Sequence, residues 1–223
     1  MFPLKDSIPS ERIPVINYLI ILCSVLVFVY EKKLGDDLLS LFFLNYGIVP
    51  IKLFLPLDTV SLLEKIIPFI TSIFIHGGFF HLLFNMYFLY VFGDNVEDEF
   101  GHIKYFLFYI FCGITAAISQ IIMYPQSNIP MIGASGAIAG VMGAYFILFP
   151  HAKVKTLLFI LIFITVIDVP AVVFLGLWFF IQFLNSMAQN TFEIVGGVAW
   201  WAHISGFVTG IIISIIYKIR KGY

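Results

Sequence analysis

Three polar positions in apolar surroundings carry side chains from which peptide-bond chemistry can be assembled. They are Ser135 in Gly133-Ala134-Ser135-Gly136, the pair His81 and Asn85, and His203 in Trp201-Ala202-His203-Ile204-Ser205-Gly206. A histidine beside a serine is the minimal activated nucleophile: the imidazole takes the hydroxyl proton and later returns one to the leaving amine. The Ser135 N–H, the Asn85 side-chain amide and His81 are the donors available for a tetrahedral oxyanion. Each feature also has a plainer reading: Ser135 as a polar cap, the histidines as helix staples, and the glycines as packing faces.

Other chemistries fit the residue types less well. The fifth position of Gly133-Ala134-Ser135-Gly136-Ala137 is alanine, so this is not the G-x-S-x-G elbow of soluble hydrolases. H-E-x-x-H is absent, which argues against a zinc protease. Asp94, beside Gly93, has no second aspartate at matching depth for an aspartyl mechanism. Asp168, the acidic residue inside another apolar region, falls toward the far side, so the expected unit is a Ser135–His203 dyad with no metal or cofactor.

The elements that hold these groups follow from composition. With 61% hydrophobic and 11% charged residues in a chain of 223, and a mean hydropathy of +1.03, the chain is all-α and polytopic in a membrane. Cys23 and Cys112 lie in separate apolar runs and form neither a disulfide framework nor a metal-binding pair. A net charge of −1 without a basic cluster gives no footprint for nucleic acid.

Six spans are expected, at about 13–30, 78–93, 104–124, 133–149, 171–187 and 200–217. Pro130 restricts the residue before it, so the fourth helix begins near Gly133 and Ser135 sits in its first turn. Unpaired N–H groups and the positive end of the helix dipole favour an anion there. The stretch 34–75, broken by Pro50, Pro56 and Pro68, reads as an element in or on the membrane edge, and the apolar run 156–167 as a membrane-associated connection. Gln189, Asn190 and Glu193 read as the turn before the sixth span.

Lysine and arginine placement sets the orientation. Lys5, Arg12, Lys104, Lys153, Lys155, Lys218, Arg220 and Lys221 fall on one side, against Lys32, Lys33, Lys52 and Lys65 on the other. Both termini are therefore expected in the cytoplasm. Without a transit-type leader, the expected location is a prokaryotic plasma membrane.

The polar groups then reach similar depths. Fifteen residues separate Ser135 from Pro150, and fifteen separate His203 from Lys218. At 1.5 Å per residue both lie about 22 Å above the inner edge, in a core about 30 Å thick. His81 and Asn85, four apart, share a helix face. Gly136-xxx-Gly140 and Gly206-xxx-Gly210 would let the fourth and sixth helices approach closely. Ionisable groups at membrane depth are costly, so matched depths on three helices favour function over packing alone. A transporter would need a polar path across the membrane, whereas these groups cluster toward one side.

At these residues the chain resembles the rhomboid family of intramembrane serine proteases. The resemblance is carried in order by Met1-Phe2-Pro3-Leu4-Lys5-Asp6, Phe74-Ile-His-Gly-Gly-Phe-Phe-His81-Leu-Leu-Phe-Asn85, Phe92-Gly-Asp-Asn-Val-Glu97, Gly133-Ala-Ser135-Gly136, and His203-xx-Gly206-xxx-Gly210. It implies a six-helix rhomboid-like bundle over residues 1–223, with Ser135 as nucleophile and His203 as general base and acid. His81, Asn85 and the Ser135 N–H would form the oxyanion hole. Membrane-anchored proteins cut in or near a transmembrane segment would be the substrates, with the bilayer as the other partner. Family analogy also makes the fifth span a lateral gate, with Phe174 and Trp178 as candidates beside a packing role. The chain departs from the family in two places. No tryptophan precedes Trp178, so the Trp-Arg pair of the first loop is missing, and Ala139 stands where some members stack an aromatic on the histidine. The rival reading is a catalytically silent relative that binds transmembrane segments.

Overall fold

The computed structural model describes residues 2–160, 163–188 and 197–222. The expected turn at Gln189, Asn190 and Glu193 lies outside them. The main helices are α1 (Val15–Glu31), α6 (Phe79–Phe100), α7 (His102–Met123), α8 (Ser135–Leu148), α9 (Ala171–Ala188) and α10 (Trp200–Lys221). Between α1 and α6 come four short helices, α2 (Asp36–Tyr46), α3 (Pro50–Phe54), α4 (Leu62–Ile66) and α5 (Pro68–Thr71), then a 3-10 turn at Ser72–Phe74. Prolines at the first position of α3 and α5 start helices without needing an N–H there, which divides this stretch into pieces.

By length and composition, α7, α9 and α10 can each cross a membrane, and Leu62–Phe74 with α6 makes a fourth candidate bent by 77°. At 17 and 14 residues, α1 and α8 are apolar but shorter. A helix of α8's length rises only about 21 Å, less than the hydrocarbon core of about 30 Å.

α8 is the centre of the bundle. Gly136 to Tyr145 are all buried, the pattern of a helix surrounded on every side. It packs most extensively against α10, at glycines. A Cβ on Gly206 would collide with the Gly136 carbonyl, one on Gly210 with the Gly140 carbonyl, and one on Gly143 with the Phe207 carbonyl. The two small-residue faces thus bring backbones into contact.

Two elements differ from the sequence reading. The second long helix does not end at Gly93 but continues through the acidic residues to Phe100. Their carboxylates have partners: Asp94 accepts from Ser10 Oγ at 2.5 Å, Asp98 from the Glu11 and Arg12 backbone, and Glu99 pairs with Lys221 at 2.9 Å. Glu97, buried, accepts from the Ile16 and Asn17 N–H groups at 2.9 and 2.7 Å and so caps the start of α1.

The second difference is a sheet. The run 156–167 is not a simple membrane-associated connection. It lies in an antiparallel hairpin of β2 (Lys153–Ile160) and β3 (Phe163–Pro170), and β1 (Phe2–Asp6) pairs with β2 to give the order β1-β2-β3. Valine, isoleucine, threonine and phenylalanine favour strands, and a dozen residues cannot span as a helix. Tyr145, near the end of α8, donates to Asp6 Oδ2 at 2.5 Å and ties β1 to the central helix at the end opposite Ser135.

Candidate active site

α8 begins at Ser135, two residues after the expected start near Gly133, and Ser135 lies in its first turn. Its hydroxyl lies 2.7 Å from His203 Nε2, across the contact between α8 and α10. Gly206, three residues beyond His203, meets the Gly136 carbonyl; without that close approach the two side chains would stand apart.

The other ring nitrogen of His203 is partnered by an amide and not by a carboxylate. Nδ1 lies 2.8 Å from Gln182 Oε1, on α9. Histidine and glutamine are both buried. With Nδ1–H donating to the amide oxygen, Nε2 is left with its lone pair facing Ser135 Oγ, the tautomer a general base requires. A glutamine inside the apolar segment of α9 is itself a signal, since polar groups at that depth seek polar partners.

Trp178, one turn before Gln182, supplies the aromatic neighbour that Ala139 does not. Its ring lies 5.9 Å from the imidazole, tilted by 32°, and Trp200 meets the imidazole edge-on at 6.0 Å. Phe174 is farther along α9, buried in the core with its ring 6.2 Å from Phe92. Of the two gate candidates, then, Trp178 touches the histidine and Phe174 packs inside the bundle.

His81 and Asn85 reach the same place from α6. Both flank Gly133, two residues before Ser135. A Cβ on Gly133 would stand 2.6 Å from His81 Nε2 and 3.9 Å from Asn85 Nδ2. Glycine serves twice here, because its φ of +121° is also one that side chains rarely adopt. The buried Asn85 Nδ2 has no hydrogen-bond partner among the described residues. A buried donor without a partner costs stability, and its retention here fits a group reserved for a passing ligand. Behind His81, the buried His76 meets it edge-on at 5.2 Å.

Beside Ser135 lies a cavity of about 40 Å³ walled by small and aliphatic residues, among them Gly133, Gly136, Ala137, Ala199 and Ala202. No cluster of three histidine, cysteine, aspartate or glutamate side chains suited to a metal occurs among the described residues.

Residues 63–220 match the family of the Rhomboid domain. Rhomboid protein 1, mitochondrial, of Saccharomyces cerevisiae is 34% identical over 154 residues, covering 66% of this chain and 40% of its own length. Two Bacillus subtilis proteins match shorter stretches. The putative rhomboid protease YdcA is 38% identical over 34% of this chain and 38% of its own length, and rhomboid protease GluP is 40% identical over 34% of this chain and 14% of its own. The chain thus spans well under half the length of these relatives.

Proposed function

The chain belongs to the rhomboid family of integral membrane proteins, and on that premise we propose that it is an intramembrane serine endopeptidase. The observation that carries the proposal is the 2.7 Å contact between Ser135 Oγ and His203 Nε2, made by separate helices within the bundle.

In the proposed reaction, Ser135 Oγ gives its proton to His203 Nε2 as it attacks the scissile carbonyl carbon. Charge moves onto the carbonyl oxygen, toward the Ser135 N–H at the start of α8, Asn85 Nδ2 and His81. His203 then protonates the leaving amine as the C–N bond breaks, leaving an acyl-serine. Water adds to that ester, giving one proton to His203; the C–Oγ bond then breaks, Ser135 Oγ takes that proton back, and the carboxylic acid product leaves. Gln182 serves as a positioning residue that holds the imidazole in the competent tautomer, the part an aspartate plays in a triad.

The substrates under this reading are membrane-anchored proteins cut in or near a transmembrane segment. Their path to Ser135 runs past α9, where Trp178 borders the histidine and Phe174 anchors the helix to the core. The reading also includes one six-helix domain over residues 1–223, in a prokaryotic plasma membrane with both termini cytoplasmic.

The test is cleavage of a reporter carrying a transmembrane segment. The wild-type chain should cut it, and Ser135→Ala and His203→Ala should leave it intact while keeping the wild-type thermal unfolding profile. A wild-type rate in the folded Ser135→Ala protein would remove the proposed nucleophile.

A further inference from the structure

At the end of the bundle opposite Ser135, the sheet roofs a cleft of about 540 Å³. One side is basic. In the β1–β2 register Lys5 stands directly opposite Lys155, and Lys153 lies two residues along the same strand, so all three share one face. Like charges directly across a ladder are destabilising. Lys155 is relieved by Asp168 on β3, at 3.2 Å. Lys5 and Lys153 have no acidic partner among the described residues.

The cleft also contains Asp6 and Asp94, but their carboxylates are engaged with the hydroxyls of Tyr145 and Ser10, both at 2.5 Å.

The opposite wall is of another kind. Tyr18 on α1 and Tyr90 on α6, with rings 6.4 Å apart, line the cleft and are 45% and 56% exposed. Tyrosine at this position suits a membrane–water interface. Leu19, Leu22 and Leu26 continue outward along α1 with more than half their surface uncovered. A soluble anion would use the lysines and leave this wall unused.

We propose that this cleft binds the phosphodiester headgroup of an anionic glycerophospholipid, held by Lys5 and Lys153, with its acyl chains along Tyr18, Tyr90 and the α1 leucines. Basic pockets between transmembrane helices recognise such headgroups. The bound phosphate offsets the repulsion between the facing lysines and so fastens β1 to β2.

Thermal unfolding of the full chain in phosphatidylcholine nanodiscs, titrated with phosphatidylglycerol, tests this. The wild-type Tm should rise and saturate with phosphatidylglycerol. In the Lys5→Gln/Lys153→Gln protein the midpoint of that rise should move to roughly thirtyfold higher lipid, about a factor of five for each lysine lost. Should the double variant not fold, Lys153→Gln alone, at an exposed strand position, should give about fivefold. Lys32→Gln/Lys33→Gln, at the far end of α1, should leave the midpoint unchanged. The proposal is overturned if the cleft variants titrate like wild type, if the Lys32/Lys33 variant shifts the midpoint as far as they do, or if inorganic phosphate in phosphatidylcholine discs raises Tm as phosphatidylglycerol does.

Discussion

The His203 imidazole is fixed at both ring nitrogens, and in the proposed reaction the two bonds have different consequences. The bond to Ser135 would carry the proton transfer, while the bond to Gln182 Oε1 would decide which nitrogen holds the proton beforehand. Gln182→Leu keeps the side-chain bulk and removes the acceptor, so kcat for reporter cleavage should fall about fivefold, the equivalent of about 1 kcal/mol for a lost hydrogen bond. KM should change little, because the glutamine does not touch substrate, and Gln182→Glu, which restores an acceptor oxygen, should recover much of the rate. Equal kcat in wild type and Gln182→Leu would remove the positioning role. Ser135, His203, His81 and Asn85 are legible in the sequence because each is a polar residue at a countable depth on an apolar helix. Gln182 obeys the same rule, but its role appears only once α9 is folded against α10, since 21 residues separate it from His203.

At the scale of elements, the site exists because α8 and α10 touch through backbone. Gly210→Leu would force a side chain against the Gly140 carbonyl, which belongs to a rigid helix and cannot rotate away. Overpacking of this kind costs about 1–3 kcal/mol. The variant should unfold at a lower Tm than wild type and lose cleavage as α10 is pushed off α8, although Gly210 lies two turns from His203. An unchanged Tm would mean that the helices have room to separate. The glycine spacing made this contact legible in advance. The length of α6 was not: a run of carboxylates reads as a solvated turn unless the partners are known, and Asp94, Glu97 and Asp98 each accept from a group within residues 10–17, at least 80 positions away.

Over the whole molecule, the chain gathers the candidate site's polar side chains at one end and is tied by a sheet at the other. The sheet was hidden in the sequence because β2 and β3 are apolar at successive positions, without the alternation that marks a half-buried strand, and because β1 pairs with a strand some 150 residues away. Asp6 links this sheet to α8 through Tyr145. Desolvation is the main cause that raises its carboxyl from 3.8 to about 6, with repulsion from Asp94 adding to it and the Tyr145 hydrogen bond opposing it. The folded chain therefore holds this proton more tightly than the unfolded chain. The resulting stability is complete below about pH 4 and is lost as pH rises through about 6. Thermal unfolding across that range should show a decline that Asp6→Asn, which carries no titrating proton, flattens. A decline of equal size in Asp6→Asn would assign it to another group.

In the proposed reaction, Ser135 is a nucleophile made reactive by His203. The most direct measurement is labelling of the folded, membrane-embedded chain with a fluorophosphonate, followed by mass mapping of the modified residue. A single adduct is expected on Ser135, absent from Ser135→Ala and strongly reduced in His203→Ala. A chain that stays unlabelled, or that is labelled equally well without His203, would contradict it.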